Sequence, residues 1–242
     1  MNTIAEPEWD QADTATFLRY ADVFVPRRRE QFRVICTLVR DLPHPSVLEL
    51  ACGDGALTEE ITRLHPNVAV TAIDASATML AAAQRRLADV AARVRLVRAD
   101  LRDLRWQTGR YGAVVTSLAV HHLDHDAKRR LFGSIFELLH PGGIYVQCDL
   151  IEPATDANRR VAAQLWDAIV VEQAAGAPGG DAATEAFRET RWNTFSFPDP
   201  VDQPAPVHSQ LGWLADAGFG GVDVCWAAAG HAVLTATRGQ AR

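Results

Sequence analysis

Cysteine is scarce in this sequence, and its few copies stand far from one another. The cysteines are Cys36, Cys52, Cys148 and Cys225. Their spacing matches neither a paired metal motif nor a disulfide framework, so we expect free thiols in a reducing compartment. Long apolar runs are lacking too, and we therefore expect neither a signal peptide nor a membrane-spanning helix. These absences together favour a cytoplasmic location.

Positive charge is also in short supply. The chain has 24 Lys and Arg residues against 30 Asp and Glu residues, which gives a formal net charge of -6. An acidic protein repels a phosphate backbone unless it carries a local basic patch, and the densest basic run is Arg27–Arg29. Nucleic acid is therefore disfavoured as a partner, and a small molecule is expected. The composition leaves open whether the chain is a monomer or a homodimer.

Strand-like and helix-like segments alternate along most of the 242 residues. The predicted strands are Val47–Leu50, Val68–Asp74, Val94–Asp100, Tyr111–Leu118, Gly143–Leu150, Gly221–Ala227 and His231–Arg238. This pattern predicts an α/β fold in a single domain (1–242), a doubly wound Rossmann-like sheet of seven mostly parallel strands with helices on both faces. Too few residues join the last two strands for a crossover helix, so one of them must run antiparallel. The helix before the fifth strand is expected to stop at Pro141–Gly143.

Residues 151–207 do not follow this alternation. They begin with a helical stretch, Asn158–Ala175, and continue into a segment rich in Trp, Phe and Pro. The segment is too long to be a plain connection between the fifth strand and the last helix. We therefore predict an insertion that acts as a cap over the sheet and contributes to a substrate site.

The first predicted strand leads into a loop of small residues that contains Gly53 and Gly55. Ligands of open α/β sheets sit at the carboxyl ends of the strands, and glycine there permits close backbone approach. Asp74 ends the next strand, where a carboxylate can accept both hydroxyls of a ribose, and Asp100 ends the third. Glu49, beside the loop, would repel a pyrophosphate but attract a sulfonium or an ammonium group. The pattern predicts a positively charged nucleoside without phosphates and argues against a nicotinamide oxidoreductase.

Several motifs, in this order, resemble those of class I S-adenosylmethionine-dependent methyltransferases. They are "LELACGDG", "AIDAS", "RADLRDL", "TSLAVHHL" and "LHPGG". The match covers Val47–Leu150 and extends to the final hairpin, and Ala51 stands where the family has its first loop glycine. The resemblance implies methyl transfer from S-adenosyl-L-methionine to a small metabolite or natural product, with S-adenosyl-L-homocysteine as product. A tRNA-modifying methyltransferase, another adenosylmethionine-using enzyme and a non-catalytic cofactor-binding module remain as alternatives.

The same resemblance assigns cofactor contacts by position. The loop and its acid would line the methionine and ribose side, and residues after the second and third strands would hold the adenine. N-terminal helices within residues 1–44 would close over the cofactor, with a tyrosine and an arginine reaching its carboxylate. The implied contacts are Tyr20, Arg28, Glu49, Ala51, Gly53, Gly55, Asp74, Ala75, Met79, Asp100, Leu101 and Ser117.

The cluster "HHLDHD", which begins at His121, follows the fourth strand and lies near the expected methyl donor. Either His121 or His122 could act as a general base or a substrate hydrogen-bonding group, and we name both as candidate catalytic residues. The histidines could instead pack and cap the next helix through Asp124 or Asp126. A metal site is the third reading, and we assign no metal from the sequence.

Aromatic residues of the predicted cap could form the wall of an apolar or aromatic substrate pocket. Trp192, Asn193 and Phe195 lie in the loop-like stretch "RWNTFSFPDP", and we predict that they contact the substrate. The alternative is a small secondary core beneath the insertion.

Overall fold

A sheet of seven strands forms the centre of the part of the chain that the structure describes. The computed structural model describes residues 11–103 and 108–240, with side chains from residue 14 onward. The strands are β1 (Ser46–Leu50), β2 (Ala69–Asp74), β3 (Val94–Arg98), β4 (Tyr111–Ser117), β5 (Leu139–Leu150), β6 (Gly220–Ala228) and β7 (His231–Thr237). Their order across the sheet is β3-β2-β1-β4-β5-β7-β6. The strand order reverses between β1 and β4, because β2 and β3 lie on one side of β1 and the later strands lie on the other. This switch opens a crevice at the carboxyl ends of β1 and β4.

Helices cover both faces of this sheet. They are α1 (Gln11–Phe24), α2 (Arg28–Leu38), α3 (Ala56–Leu64), α4 (Ala77–Arg86), α5 (His125–Leu138), α6 (Asp156–Ala175), α7 (Gly180–Glu189) and α8 (Val207–Asp216). One core packs the sheet against α2, α3 and α4 through residues such as Ile35, Ile61 and Leu80. The other packs it against α5 and α8 through residues such as Phe132 and Leu214. The predicted α/β architecture is confirmed.

The final two strands form a hairpin around Ala229 and Gly230. Both residues have positive φ angles, 48° and 74°, as a tight hairpin turn requires. Strand β7 inserts between β5 and β6 and is antiparallel to both. One strand therefore runs against the rest of the sheet, as the short connection predicted.

Helix α5 ends earlier than the sequence suggested, at Leu138, and the predicted stop at Pro141–Gly143 is wrong in detail. Those residues belong to β5, which starts at Leu139. The reason is pairing with the end of β7, because the N–H of Gly142 donates to the carbonyl of Arg238 at 2.8 Å. The φ angle of Gly142, 80°, allows that turn of the backbone.

Helices α6 and α7 belong to residues 151–207, which we call the cap insertion, and they pack against α1. The indole N–H of Trp166 donates to the backbone carbonyl of Phe24 at 2.7 Å. The rings of Phe24 and Phe187 meet edge to face at 5.3 Å. Buried apolar residues of α1, α6 and α7 form one cluster, so these helices share a core that is separate from the two sheet cores. Residues 1–10 of the predicted N-terminal segment lie outside the described residues.

None of the helices in the described residues has both the length and the apolar character that crossing a bilayer requires.

Candidate active site

A cavity of about 710 Å³ lies at the carboxyl ends of β1, β2, β3 and β4. The cap insertion and the N-terminal helices enclose it from the other side. Its walls include Phe17, Arg28, Glu49, Ala51, Gly53, Asp74, Ala75, Met79, Asp100, Leu101, Ser117, His121, His122, Trp166, Trp192, Phe197, Asp202 and His231. Ten of the twelve predicted cofactor contacts are among them, and Gly55 and Tyr20 are not. The volume is that of a typical small-molecule site.

The two loop glycines have different physical roles. A Cβ added to Gly53, whose φ is 54°, would meet nothing within 4 Å, so this backbone faces open space in the cavity. A Cβ on Gly55 would lie 2.8 Å from Cδ1 of Leu87. Gly55 is therefore required for packing of the loop against the chain that follows α4. Ala51 also has a positive φ, 52°, in a position where the resemblance expected glycine.

Asp74 ties the end of β2 to this loop. One carboxylate oxygen accepts from the Gly53 N–H at 2.8 Å, and the other accepts from the Ser76 N–H at 2.8 Å. Burial raises the pKa of Asp74, while the backbone N–H donors oppose that rise. A carboxylate has more lone pairs than these two bonds use, so Asp74 can still accept hydrogen bonds from the hydroxyl groups of a ligand.

Glu49 is the most deeply buried acid of the loop region, with 2% of its surface exposed. The hydroxyl of Thr58 donates to its carboxylate. Burial is the main cause that raises the pKa of Glu49 to about 8; the Thr58 hydroxyl opposes the rise, and the negative charges of Asp54 and Asp74 add to it. This acid therefore favours its protonated form at neutral pH and would be stabilised as a carboxylate by an added positive charge.

Arg28 lies on the cavity wall, and Tyr20 does not. The Arg28 guanidinium pairs with Asp22 at 2.7 Å and lies 4.0 Å from a carboxylate oxygen of Asp54. It also stacks over Phe17 and Phe32. Tyr20 instead stacks on Phe24 of its own helix, at 5.2 Å between ring centroids. The resemblance implied that this arginine and this tyrosine both reach the carboxylate of the cofactor. The arrangement supports this only for Arg28, because Tyr20 does not line the cavity.

The predicted adenine side of the site forms a second wall. Ala75 and Met79 lie after β2, with Ser76 capping α4 by accepting from the Met79 N–H at 3.2 Å. Strand β3 ends at Arg98, so Asp100 and Leu101 belong to the loop beyond it rather than to the strand. An oxygen of Asp100 accepts from the Arg102 N–H at 2.8 Å, which fixes the turn.

Two histidines and two carboxylates meet beside β4 and β5. Nδ1 of the His121 ring lies 2.5 Å from Oδ1 of Asp149, and the backbone N–H of His121 donates to Oδ2 of the same carboxylate at 3.1 Å. Asp202, from the cap insertion, lies 3.5 Å from Nε2 of His121 and 3.2 Å from Nδ1 of His122. Asp124, as one reading predicted, caps α5 by accepting from the Ala127 N–H at 2.7 Å.

The pKa values of the two histidines shift in opposite directions. Burial lowers the pKa of His121, but the carboxylate of Asp149 outweighs it and the net shift is upward. Burial and the charge of His121 lower the pKa of His122, and Asp202 only partly offsets them. The four groups therefore form one electrostatically coupled cluster.

A buried lysine holds the cap loop against this cluster. The ammonium of Lys128, which has no exposed surface, donates to the carbonyl of Leu123 and to that of Gln203 at 2.6 Å. The Gln203 N–H donates to the carbonyl of His121 at 2.7 Å. Burial lowers the pKa of Lys128 to about 8, with Asp149 and Asp124 opposing the shift. The loop that carries Asp202 is thus fixed by backbone contacts on both sides.

The predicted substrate residues separate into two groups. Trp192 lines the cavity and lies beside Phe24 at 5.4 Å between ring centroids. Asn193 does not line it, because its amide donates to the Ala163 carbonyl at 3.0 Å and to Asp167 at 2.8 Å. For Asn193 the geometry corrects the predicted substrate role to a structural one.

Phe195 also lies behind the cavity wall. Its ring meets Trp166 edge to face at 5.7 Å, and its N–H donates to the side chain of Asn193 at 3.1 Å. The ring fills the space over Gly230, where an added Cβ would lie 2.1 Å from it. The alternative reading of a secondary core fits Phe195 better than substrate contact does.

The sequence missed Asp149, Asp202 and His231. Asp149 is the penultimate residue of β5 and lies at the same sheet edge as Asp74, so the rule that singled out Asp74 could have found it. His231 begins β7, and its Nδ1 donates to the Ala229 carbonyl at 3.0 Å. Burial lowers the pKa of His231 to about 4, so this ring is neutral at physiological pH. Asp202 had no local signal, because only folding of the cap insertion brings it to the histidines.

Known proteins resemble this chain in sequence and in fold. Residues 47–143 match the family described as a methyltransferase domain. An uncharacterised methyltransferase of Mycobacterium tuberculosis is 34% identical over 110 residues, 45% of this chain and 52% of that protein. The trans-aconitate 2-methyltransferase of Deinococcus radiodurans is 30% identical over 122 residues, 50% of this chain and 44% of that protein. The chain thus spans about half the length of these two curated relatives.

A solved structure extends the likeness to nearly the whole fold. It is that of an O-methyltransferase family protein from Burkholderia thailandensis, with a TM-score of 0.67 and 19% identity. The match covers 96% of this chain and 61% of that one. The sequence match over residues 47–143 and the shared topology over most of the chain agree. Over residues 47–143 the chain therefore resembles a methyltransferase domain in sequence, and over nearly its whole length it shares the fold of that solved structure.

Proposed function

We propose that this chain binds S-adenosylmethionine in the cavity and methylates a small molecule held beneath the cap insertion. The acceptor we favour is an aromatic or otherwise apolar molecule with an ionisable hydroxyl. The observation that carries the proposal is the bond between Asp74 and the Gly53 N–H. That bond holds the carboxylate proposed to accept the ribose on the same cavity wall as the exposed backbone of Gly53. The buried acid Glu49 lies on this wall too.

The residues present suit this cofactor. Glu49 and Asp74 are negative or easily made so, and an adenosyl group that carries a sulfonium and an ammonium supplies the matching positive charge. A dinucleotide would bring a pyrophosphate against the same carboxylates. Ala75, Met79, Asp100 and Leu101 provide apolar surface and one acceptor for the adenine. Arg28 can pair with a ligand carboxylate by its guanidinium, in exchange for part of its contact with Asp22.

When bound, S-adenosylmethionine supplies a methyl group activated by its sulfonium. The task of the protein is then alignment and exclusion of water. Phe17 and Trp192 bring apolar surface to the wall opposite the sheet. We propose that α1 and the cap insertion, which share one apolar core, close together over the ligand.

The histidine cluster serves the acceptor. Asp149 accepts a hydrogen bond from Nδ1–H of His121, so that in the neutral ring the free lone pair is on Nε2. That lone pair faces Asp202 and the cavity, where it can take up a proton or bind a cation. Either role favours the deprotonated form of an acceptor hydroxyl. His122 shares the same contact with Asp202 and the same cavity wall.

Aromatic side chains in the cavity suggest the shape of the acceptor. Trp166, Trp192 and Phe197 lie on the wall that the cap insertion provides. Flat apolar surface of this kind favours ring-shaped ligands, while the histidine cluster supplies the polar end. The name of the Deinococcus relative points to a tricarboxylic acid for that protein, and carboxylic acids are therefore the second class of acceptor to test.

Labelled methyl transfer tests the proposal directly. The protein is incubated with methyl-labelled S-adenosylmethionine and panels of phenols, carboxylic acids, amines and thiols, and with a bacterial metabolite extract. Mass spectrometry then detects products that carry the labelled methyl group. We expect transfer to a hydroxyl-bearing acceptor, and much slower transfer with Asp74→Ala at a limiting concentration of the cofactor. A chain that binds the cofactor but methylates nothing in any panel or in the extract would fit the non-catalytic binding module instead.

A further inference from the structure

We infer that His121, His122 and Asp202 form a binding site for a divalent cation of the zinc class on the wall of the cavity. The inference departs from the sequence-based expectation, which assigned no metal. It deepens the proposed function and rests on it for the purpose of the cation, while cation binding itself can be measured without turnover.

The spacing of the ligand atoms suits such a site. Oδ1 of Asp202 lies 3.2 Å from Nδ1 of His122 and 3.5 Å from Nε2 of His121. One ligand atom from each residue lies within 4.8 Å of the other two. In tetrahedral zinc sites, nitrogen and oxygen ligands lie about 2.0–2.2 Å from the ion, which separates them from one another by about 3.3–3.5 Å. Of the three separations, that of 3.5 Å falls in this range and that of 3.2 Å lies just below it.

The groups that contact the three ligands also have the arrangement found around bound metals. Histidine ligands commonly donate their other ring N–H to a carboxylate, which orients the ring and makes the ligand nitrogen more basic. Asp149 accepts from Nδ1 of His121 and so directs Nε2 toward Asp202. Asp202 in turn accepts a hydrogen bond from the hydroxyl of Thr194, which orients its carboxylate. Two of the three ligands thus have an orienting partner.

The backbone holds the three ligands in place from distant parts of the chain. The Gln203 N–H, next to Asp202, donates to the carbonyl of His121. Lys128 then bridges the carbonyls of Gln203 and Leu123 from beneath. Because this clamp fixes the cap loop to the histidine segment, little reorganisation is needed when a cation binds.

The ligand set selects the chemical class of the cation. Two imidazoles with one carboxylate suit zinc, cobalt and related ions, whereas calcium and magnesium take oxygen ligands almost alone. All three ligands lie on the cavity wall, so a fourth position would face the space where the acceptor sits. Three protein ligands with one open position are the pattern of catalytic rather than structural zinc. A cation held by these three residues would lower the pKa of an acceptor hydroxyl at that position and so favour loss of its proton to water.

Cobalt and zinc titrations test the site. Untagged protein is stripped with a chelator, dialysed and titrated with Co²⁺ while visible absorption is recorded. We expect one equivalent to bind with the bands of a four- or five-coordinate site, and Zn²⁺ to displace it and raise the melting temperature. Asp202→Asn and His122→Ala should each weaken Co²⁺ binding at least about tenfold. His125→Ala is the matched control, because this exposed histidine of the same segment lies against Trp213, away from the cavity.

Opposite results would overturn the inference. These are the absence of a bound equivalent in the wild-type protein, or the same affinity and spectrum in Asp202→Asn and His122→Ala. Calorimetry with S-adenosylhomocysteine on the same samples separates the two proposals. Binding of that ligand without binding of Co²⁺ rejects only the cation site and leaves His121 as a direct proton acceptor, whereas failure of that ligand to bind rejects the proposed function.

Discussion

The carboxylate of Asp74 accepts a hydrogen bond at 2.8 Å from the backbone N–H of Gly53, 21 residues earlier in the chain. This bond joins the carboxyl ends of two neighbouring parallel strands. It therefore determines both the shape of the glycine loop and the position of the acid that is proposed to hold the ribose.

Replacing Asp74 should affect ligand binding and folding together. Asp74→Ala removes two acceptors of backbone N–H groups as well as the proposed ribose contact. We expect S-adenosylhomocysteine binding to weaken by about 2–4 kcal/mol and the free energy of unfolding to fall by about 1–3 kcal/mol. Calorimetry and chemical denaturation measure the two effects. Asp89→Ala, which removes an exposed carboxylate, is the control and should change neither, while unchanged affinity in Asp74→Ala would place the ribose elsewhere.

Glu49 should make the ligand-free protein less stable as the pH rises. Its pKa in the folded state is about 8, against an ordinary value of 4.5, so the folded protein keeps a proton that the unfolded chain has released. This contribution is complete below pH 4.5, declines as the pH rises and is lost as the pH passes through about 8. Glu49→Gln cannot ionise, so its unfolding free energy should fall less steeply between pH 5 and pH 8. Denaturation curves at several pH values measure this, and equal slopes in the two proteins would contradict it.

Trp192 and its neighbour Asn193 should respond differently to truncation. Trp192→Ala removes a cavity wall, so we expect a higher KM for the acceptor and S-adenosylhomocysteine affinity within about 0.5 kcal/mol of wild type. Asn193→Ala leaves buried partners on α6 unsatisfied and should lower the free energy of unfolding by about 1–3 kcal/mol. Acceptor kinetics and denaturation curves measure the pair. Normal acceptor kinetics in Trp192→Ala would move the acceptor pocket away from this wall.

Local sequence rules were sufficient to bring most of the predicted cofactor contacts to one cavity. Alternating segments predicted the parallel strands, and parallel strands end at one edge of a sheet. Glu49, Asp74 and the residues after β3 therefore reached the same cavity from separate motifs. Where these rules failed, a neighbour distant in sequence was responsible. Gly55 is needed because of Leu87, which no local pattern around the loop reveals.

The cap side could not be predicted in the same way. Its residues are fixed by tertiary contacts between segments that are far apart in the chain. Asn193 is held by α6, 26 and 30 residues earlier, and Asp202 reaches His121 only because Gln203 is bonded to the histidine segment. Aromatic character alone did not distinguish Trp192, on the cavity wall, from Phe195, which fills the space over Gly230.

Calorimetric titration of the wild-type protein with S-adenosylhomocysteine, and in parallel with NAD, tests the central claim most directly. The wall formed by Glu49, Gly53 and Asp74 predicts one bound equivalent of S-adenosylhomocysteine and no measurable heat from NAD at the same concentrations. Tight binding of NAD, or no binding of S-adenosylhomocysteine, would contradict the account.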